Sequence, residues 1–135
     1  MLETRTISIP IEKGYDSVYA FLTEPRNLLS WSSLPQASFR HIAGSEYEAE
    51  TVLGPALLQF TPANAFGVLD FSMTAKDGRA AQHVAARLLR NGAHCEILCT
   101  MFRAEGATPD TFQSEIDWLT AELLVLKSLL ESSRL

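Results

Sequence analysis

The feature that most constrains the fold is one long amphipathic stretch, residues 108–131. Thr108 can cap a helix with its hydroxyl, Pro109 suits the first helical position, and Asp110 places negative charge at the positive end of the helix dipole. Large apolar residues then recur in steps of four and three, at Phe112, Ile116, Leu119, Leu123, Leu126 and Leu130. A helix roughly 35 Å long with such a face requires a broad apolar surface to receive it.

The same stretch carries a second apolar set beside the main stripe. Trp118, Val125 and Leu129 fall about a quarter to a third of a turn around the axis, with Glu115 and Glu122 in the gap between the two sets. Either the two carboxylates lie at the edge of the buried surface, where each pairs with a nearby cation, or Glu122 faces an enclosed cavity. Trp118, Val125 and Leu129 could also form a partner or homodimer surface.

The chain before this helix consists mainly of strand patterns. The cleanest is residues 46–51, in which Glu46, Glu48 and Glu50 alternate with Tyr47 and its neighbours. We expect the three carboxylates to lie in water and Tyr47 to point inward. Residues 79–90 fit a helix as well as a strand. The following Asn91-Gly92 is a strong hairpin signal and a hairpin needs a strand on each side, so we predict a strand.

The predicted order gives an α+β fold in which a curved antiparallel sheet of about seven strands wraps around the long C-terminal helix. Two short helices follow the first strand, and Pro10 is expected to end that strand. The predicted strands are residues 4–9, 37–42, 46–51, 56–60, 67–74, 79–90 and 93–103, and the predicted short helices are residues 12–23 and 25–30.

Length and composition bound the class of protein. The 135 residues predict a single domain, 1–135, and the net charge of −5 without a basic run argues against nucleic acid or anionic membranes as partners. No apolar stretch is long enough to span a bilayer and the N-terminus lacks a signal-peptide pattern, so a cytoplasmic location is expected. Cys95 and Cys99 are interpreted as small buried core residues rather than as a disulfide.

The pattern resembles the START-like superfamily, also called SRPBCC or Bet v 1-like, which has a helix-grip fold. Within it, the polyketide cyclase/dehydrase-like group is the most similar. The resemblance covers essentially the whole chain and is carried by residues 7–10, 18–25, 31, 67–70 and 118–131. It implies a cavity between the long helix and the concave sheet that holds an apolar or amphipathic ligand. Members differ widely in activity, so the resemblance by itself leaves function open.

We expect the cavity to be lined by inward-facing aromatic, sulfur-containing and aliphatic residues and by a few polar groups. The predicted lining residues are Trp31, Phe39, His41, Tyr47, Phe60, Phe71, Met73, Cys99, Met101, Phe112, Ile116, Leu119 and Glu122. Glu122, His41 and Tyr47 are the candidate acid–base groups. The histidines are widely separated in sequence and no phosphate-binding loop or nucleophile motif is present, so no metal site or cofactor is predicted.

Three functions remain open at this point. The first is a binding protein for a hydrophobic or aromatic small molecule. The second is a cyclase- or dehydratase-type enzyme that uses the candidate acid–base groups. The third is an interaction or dimerisation module without a ligand, which would use Trp118, Val125 and Leu129.

Overall fold

The long helix forms as predicted, as α2 (Pro109–Ser132), in the computed structural model, which describes residues 1–132. Its start is capped by Thr108, whose hydroxyl oxygen accepts a hydrogen bond from the Thr111 N–H at 3.1 Å. All six residues of the apolar stripe are buried, with exposed fractions between 0% and 8%. The local signals of cap and period therefore place this helix correctly.

The receiving surface is one antiparallel sheet of seven strands in the order β1-β7-β6-β5-β4-β3-β2. The strands are β1 (Thr4–Ile11), β2 (Arg40–Ala43), β3 (Glu46–Thr51), β4 (Gly54–Phe60), β5 (Phe71–Ala75), β6 (Ala81–Asn91) and β7 (His94–Phe102). Between β1 and β2 lie α1 (Tyr15–Leu22) and two 3-10 helices, Pro25–Ser30 and Gln36–Ser38. This arrangement confirms the predicted helix-grip fold and the strand assignment of residues 79–90.

Two apolar clusters fill the concave side of the sheet. The first joins the α2 stripe to the inner faces of β1, β6 and β7, with Ile9, Leu88 and Ile97 among its members. The second lies over β3, β4 and β5, and is covered by Leu29 and Leu34 of the segment that follows α1. The helix thus covers one part of the sheet and the short-helix segment covers the other.

Several predicted strand limits differ from the structure, and three of the differences have a local cause. β1 continues through Pro10 to Ile11, because it is an edge strand and the missing N–H interrupts no second ladder. β2 begins at Arg40, since Gln36–Ser38 forms a 3-10 helix instead. β5 begins at Phe71 rather than at residue 67, because Asn64 Oδ1 accepts the N–H groups of Phe66 (2.9 Å) and Val68 (3.1 Å) and holds the preceding residues in a loop.

The prediction that Glu48 lies in water is wrong. Its exposed fraction is 9%, and its carboxylate forms ion pairs with Arg40 and Lys76. Arg40 lies directly opposite Glu48 on β2, and Lys76 follows β5 at the end of that strand. Strand alternation identified the outer face correctly, but the two cations that cover this carboxylate come from other parts of the sheet.

No helix among the described residues is both long enough and apolar enough to cross a membrane.

Truncation on α2 should separate its buried stripe from its exposed side. Leu126 is fully buried and its neighbour Val125 is 51% exposed. We expect Leu126→Ala to lower the free energy of unfolding by about 2–5 kcal/mol, since it leaves a cavity in the first cluster. Val125→Ala should change it by less than about 0.5 kcal/mol. Urea denaturation followed by circular dichroism measures both, and equal effects would contradict this packing.

A second stability prediction concerns Gly67, whose φ is +69°. A Cβ at this position would clash with the Leu88 carbonyl oxygen and lie 2.8 Å from the Tyr15 hydroxyl. Gly78 has a similar φ of +73° but open space around it. Gly78→Ala should cost about 1 kcal/mol for the left-handed conformation alone, and Gly67→Ala roughly 1–3 kcal/mol more. Thermal and urea unfolding of the two variants test the difference, and the prediction fails if they are equally stable.

Candidate functional site

A small pocket lies where the chain after α1 crosses between the sheet and α2. Its volume is about 70 Å³. Most of the lining is apolar: Phe21, Leu22, Pro25, Leu28, Trp31, Phe60, Leu69, Phe71, Ala86, Ile97, Cys99, Leu119 and Leu123. The polar lining residues are Thr23, Glu24 and Thr61. Liquid water occupies about 30 Å³ per molecule and drug-sized ligands use pockets of roughly 300–1,000 Å³, so this volume suits only part of a ligand.

The floor of the pocket is formed by inner-face residues of neighbouring strands. Ala86 on β6 pairs directly with Cys99 on β7, and both are buried. Since these two side chains are small, they leave space that larger residues at the same positions would fill. Leu119 and Leu123, one turn apart on α2, close one side. The pocket is therefore a gap at the junction of helix and sheet.

The remaining wall is formed by the C-terminal end of α1 and by residues 25–34, which we call the strap. The strap consists of the 3-10 helix Pro25–Ser30 and the four residues after it. Glu24 caps this short helix by accepting the Arg26 N–H at 3.3 Å, and Asn27 Nδ2 donates to the Phe21 carbonyl at 2.9 Å. No residue of the strap is fully buried. The strap is thus shaped by local hydrogen bonds and by the partly buried side chains of Leu29, Trp31 and Leu34, which pack against the two clusters.

A row of aromatic rings connects the second apolar cluster with the pocket. Phe39 stacks on Tyr47 with ring centroids 5.0 Å apart, and Tyr47 meets Phe60 edge-on at 5.6 Å. Phe60 in turn stacks near Phe71 at 6.2 Å. Phe60 and Phe71 line the pocket, whereas Phe39 and Tyr47 lie further along the sheet. Tyr47 is partly buried on the inner face, on the side where the glutamate alternation predicts it.

His41 lies apart from the pocket. It is exposed on the edge strand β2, where its Nε2 is 2.9 Å from the Gly44 carbonyl oxygen. Its ring is tilted against Tyr47 at a centroid distance of 4.8 Å. This histidine therefore closes a turn and packs on an aromatic ring.

Glu122 connects α2 to the strap. Its Oε2 accepts the Ser33 N–H at 2.8 Å. Burial raises the pKa of Glu122, although hydrogen bonds from the Ser33 backbone, from Trp118 and from the Ser33 side chain act in the opposite direction. Glu122 is not among the residues that line the pocket.

A second glutamate on α2 makes the same kind of bond in a more open setting. Oε2 of Glu131 accepts the Glu12 N–H at 2.7 Å and pairs with Lys127, also at 2.7 Å. Here the hydrogen bond from Glu12 and then that from Lys127 lower the pKa of the carboxyl group. The main influence on the pKa thus differs between the two carboxyl groups: it is burial at Glu122 and hydrogen bonding at Glu131.

The sequence-predicted lining residues are divided between the pocket, the two apolar clusters and positions outside them. Trp31, Phe60, Phe71, Cys99 and Leu119 line the pocket. Met101, Phe112 and Ile116 are buried in the first cluster, and Phe39 and Met73 are buried in the second, with Tyr47 packed against it. His41 and Glu122 lie outside both the clusters and the pocket.

Sequence reasoning predicted Trp31 of the strap but missed the rest of this wall, Phe21 and Leu22 of α1 and Pro25 and Leu28 of the strap. One signal was available, because Phe21 lies to one side of the apolar stripe of its helix. A large aromatic outside the stripe indicates a second apolar contact. The sequence predicts a short helix at residues 25–30 followed by a loop, and neither shows a sustained apolar periodicity that would indicate a pocket wall.

Two further properties limit the chemistry of the site. Burial raises the pKa of the Cys99 thiol to about 12, so this lining residue is a neutral thiol at neutral pH rather than a thiolate nucleophile. Within residues 1–132, no three His, Cys, Asp or Glu side chains are grouped so that they could hold a metal ion.

No family model matches the sequence, and no curated protein sequence matches it either. Solved structures do match. The Aha1 dimer from Colwellia psychrerythraea is 16% identical with a TM-score of 0.68, over 96% of each chain. Ara h 8.0201 is 11% identical with a TM-score of 0.70, over 98% of this chain and 100% of its own.

A third solved structure is DynU16, described as a putative protein in the dynemicin biosynthetic locus. It is 15% identical with a TM-score of 0.68, and the match covers 95% of this chain but 47% of DynU16. At these identities the matches establish the fold, and they agree with the architecture described above. The chain has the helix-grip fold that its sequence predicts.

Proposed function

We propose that this chain, as a single START-like domain, is a cytoplasmic binding protein for an apolar or aromatic small molecule. The observation that carries the proposal is the apolar pocket at the junction of sheet, α2 and strap, with two aromatic rings of the sheet, Phe60 and Phe71, in its wall. Ligand binding would bury apolar surface there, and the aromatic row would offer edge and face contacts to a flat ligand.

The polar lining residues indicate which polar group the ligand carries. The Thr61 hydroxyl donates a hydrogen bond to the Asp70 carbonyl at 2.6 Å, and the Thr23 hydroxyl donates one to the Tyr19 carbonyl at 3.0 Å. Glu24 is a carboxylate with only acceptor oxygens when ionised. All three therefore offer acceptors rather than donors to the pocket. A ligand with a hydroxyl or N–H donor beside an apolar ring system fits this arrangement.

Binding is favoured over catalysis by the positions of the candidate acid–base groups. A cyclase or dehydratase needs such a group within hydrogen-bond reach of its substrate. Glu122, His41 and Tyr47 are all absent from the pocket lining. The similarity in fold to DynU16 keeps the polyketide cyclase-type enzyme as the alternative, which would require one of these three groups to approach the bound molecule.

Filling the pocket should weaken binding. Ala86 faces the pocket, while its neighbour Ala85 points to the outer face of the same strand. We expect Ala86→Leu to weaken the binding of 1-anilinonaphthalene-8-sulfonate at least about tenfold, since the added methylenes occupy the cavity. Ala85→Leu should leave binding unchanged. Fluorescence titration measures this, and native mass spectrometry of freshly purified protein shows whether Ala86→Leu also removes a co-purifying ligand. Equal binding by both variants would contradict the assignment of the pocket.

We infer a second function from the outer side of α2, as a surface for a second copy of this chain. Trp118 is 53% exposed and Val125 51% exposed, with Leu129 partly exposed on the same side. Exposed large apolar residues that share one side of a helix are typical of interaction surfaces. The structurally similar Aha1 protein is described as a dimer, which favours a homodimer here.

A charge on that side should prevent self-association. We expect Val125→Asp to convert a dimer to a monomer in size-exclusion chromatography with light scattering, because it places a carboxylate in the interface. Leu124 is equally exposed, at 50%, but lies about 100° further around the helix. Leu124→Asp should leave the mass unchanged. A wild-type protein that is monomeric at tens of micromolar would exclude this second function.

A further inference from the structure

The pocket is smaller than a typical ligand site, and its walls differ in how they are attached to the rest of the domain. A volume of about 70 Å³ is several times smaller than the roughly 300 Å³ of the smallest typical ligand site. If the proposed function is correct, part of the wall must move to admit a ligand. The question is which wall can move without unfolding the domain.

The sheet and α2 are poor candidates for that movement. The sheet side of the pocket belongs to paired central strands, and Leu119 and Leu123 belong to the buried stripe of α2. Displacing either element would break a hydrogen-bonded ladder or expose the first cluster. Elements of this kind open only near the global free energy of unfolding.

The strap is attached differently. Within the described residues, its bonds to Glu122 are the only hydrogen bonds that join residues 25–34 to α2 or to the sheet. Its other hydrogen bonds are local, as in the bond from Asn27 to the Phe21 carbonyl. Pro25, Leu28 and Trp31 face the pocket, so part of their apolar surface borders a gap instead of a filled core.

We propose that the strap is a gate over the pocket and that Glu122 is the latch that holds it closed. When the bond between the Ser33 N–H and Glu122 breaks, the strap moves away from α2 and the pocket enlarges towards the aromatic row. This inference rests on the proposed ligand-binding function. It assigns to Glu122 a positioning role, in place of the acid–base role that the sequence suggested.

The environment of Glu122 is consistent with a bond that can open. Burial deprives its carboxylate of water and raises its pKa, whereas the donors from Ser33 and Trp118 compensate in part. When the strap moves, water can reach the carboxylate and replace the lost hydrogen bond. The free-energy difference that favours the closed position of the strap is therefore smaller than the hydrogen bond alone would provide.

Hydrogen exchange measured by mass spectrometry tests the latch directly. We expect Glu122→Ala to speed the exchange of backbone amides in residues 25–34 by roughly three- to tenfold, less than the full value of a hydrogen bond to a charged group because burial of the carboxylate offsets part of it. Glu122→Gln keeps an acceptor oxygen and should remain close to the wild-type rate. Glu131→Ala is the matched control, because it removes the same type of bond from α2 to Glu12. It should speed exchange near Glu12 and leave the strap unchanged.

Stopped-flow uptake of 1-anilinonaphthalene-8-sulfonate provides the functional readout. Glu122→Ala should raise the association rate by a similar factor, and Glu131→Ala should not change it. If the probe fails to bind any variant while strap exchange still responds to Glu122→Ala, the proposed function fails and the latch stands. If the probe binds but Glu122→Ala alters neither exchange nor uptake, the latch is overturned. Faster exchange across the whole sheet also overturns it, since that indicates general destabilisation.

Discussion

The burial of one helical stripe against one part of a wide sheet determines the rest of this structure. Seven strands spaced about 4.8 Å apart make a sheet roughly 29 Å wide, whereas a helix with its side chains is about 10–12 Å across. The six buried residues of α2 meet β1, β6 and β7 and reach little of the far side. A second covering element is therefore required over β3, β4 and β5, and the strap supplies it with Leu29 and Leu34.

Two covers that meet over one sheet leave a junction, and the pocket lies at that junction. On the α2 side the packing is dense, with Leu123 and Leu126 almost fully buried. On the strap side, Leu29 and Leu34 are only partly buried against the second cluster. The small pair Ala86 and Cys99 widens the gap at the same place. The site follows from how the two covers meet, without any separate structural element built for it.

The sequence predicts well the features that depend on neighbouring residues, and less well those that depend on contacts between distant segments. The limits and buried face of α2 depend on a local cap and a local period, so both are correct. The strand assignment of residues 79–90 follows from the Asn91-Gly92 turn next to it. The burial of Glu48 could not be predicted in this way, since its cations, Arg40 and Lys76, come from other parts of the sheet. The pocket likewise depends on contacts between distant parts of the chain. Only five of the thirteen predicted lining residues reach it, because an inward direction does not determine where along the sheet a side chain lies.

Glu122 and Glu131 of α2 each accept a backbone N–H, but different factors determine the pKa of the two carboxylates. At Glu131 hydrogen bonds dominate and lower the pKa, so its contribution to stability is present above the usual carboxyl pKa of 4.5 and is lost as the pH falls below it. At Glu122 burial dominates and raises the pKa, so the folded state binds more protons and its stability declines as the pH rises above 4.5. Near neutral pH the bond to Glu12 therefore gives a net stabilisation, while burial of the carboxylate opposes the stabilisation from the bond to Ser33. The segment before α1 and the strap are thus joined to the same helix through carboxylates in opposite environments, and the more buried carboxylate is the one bonded to the strap.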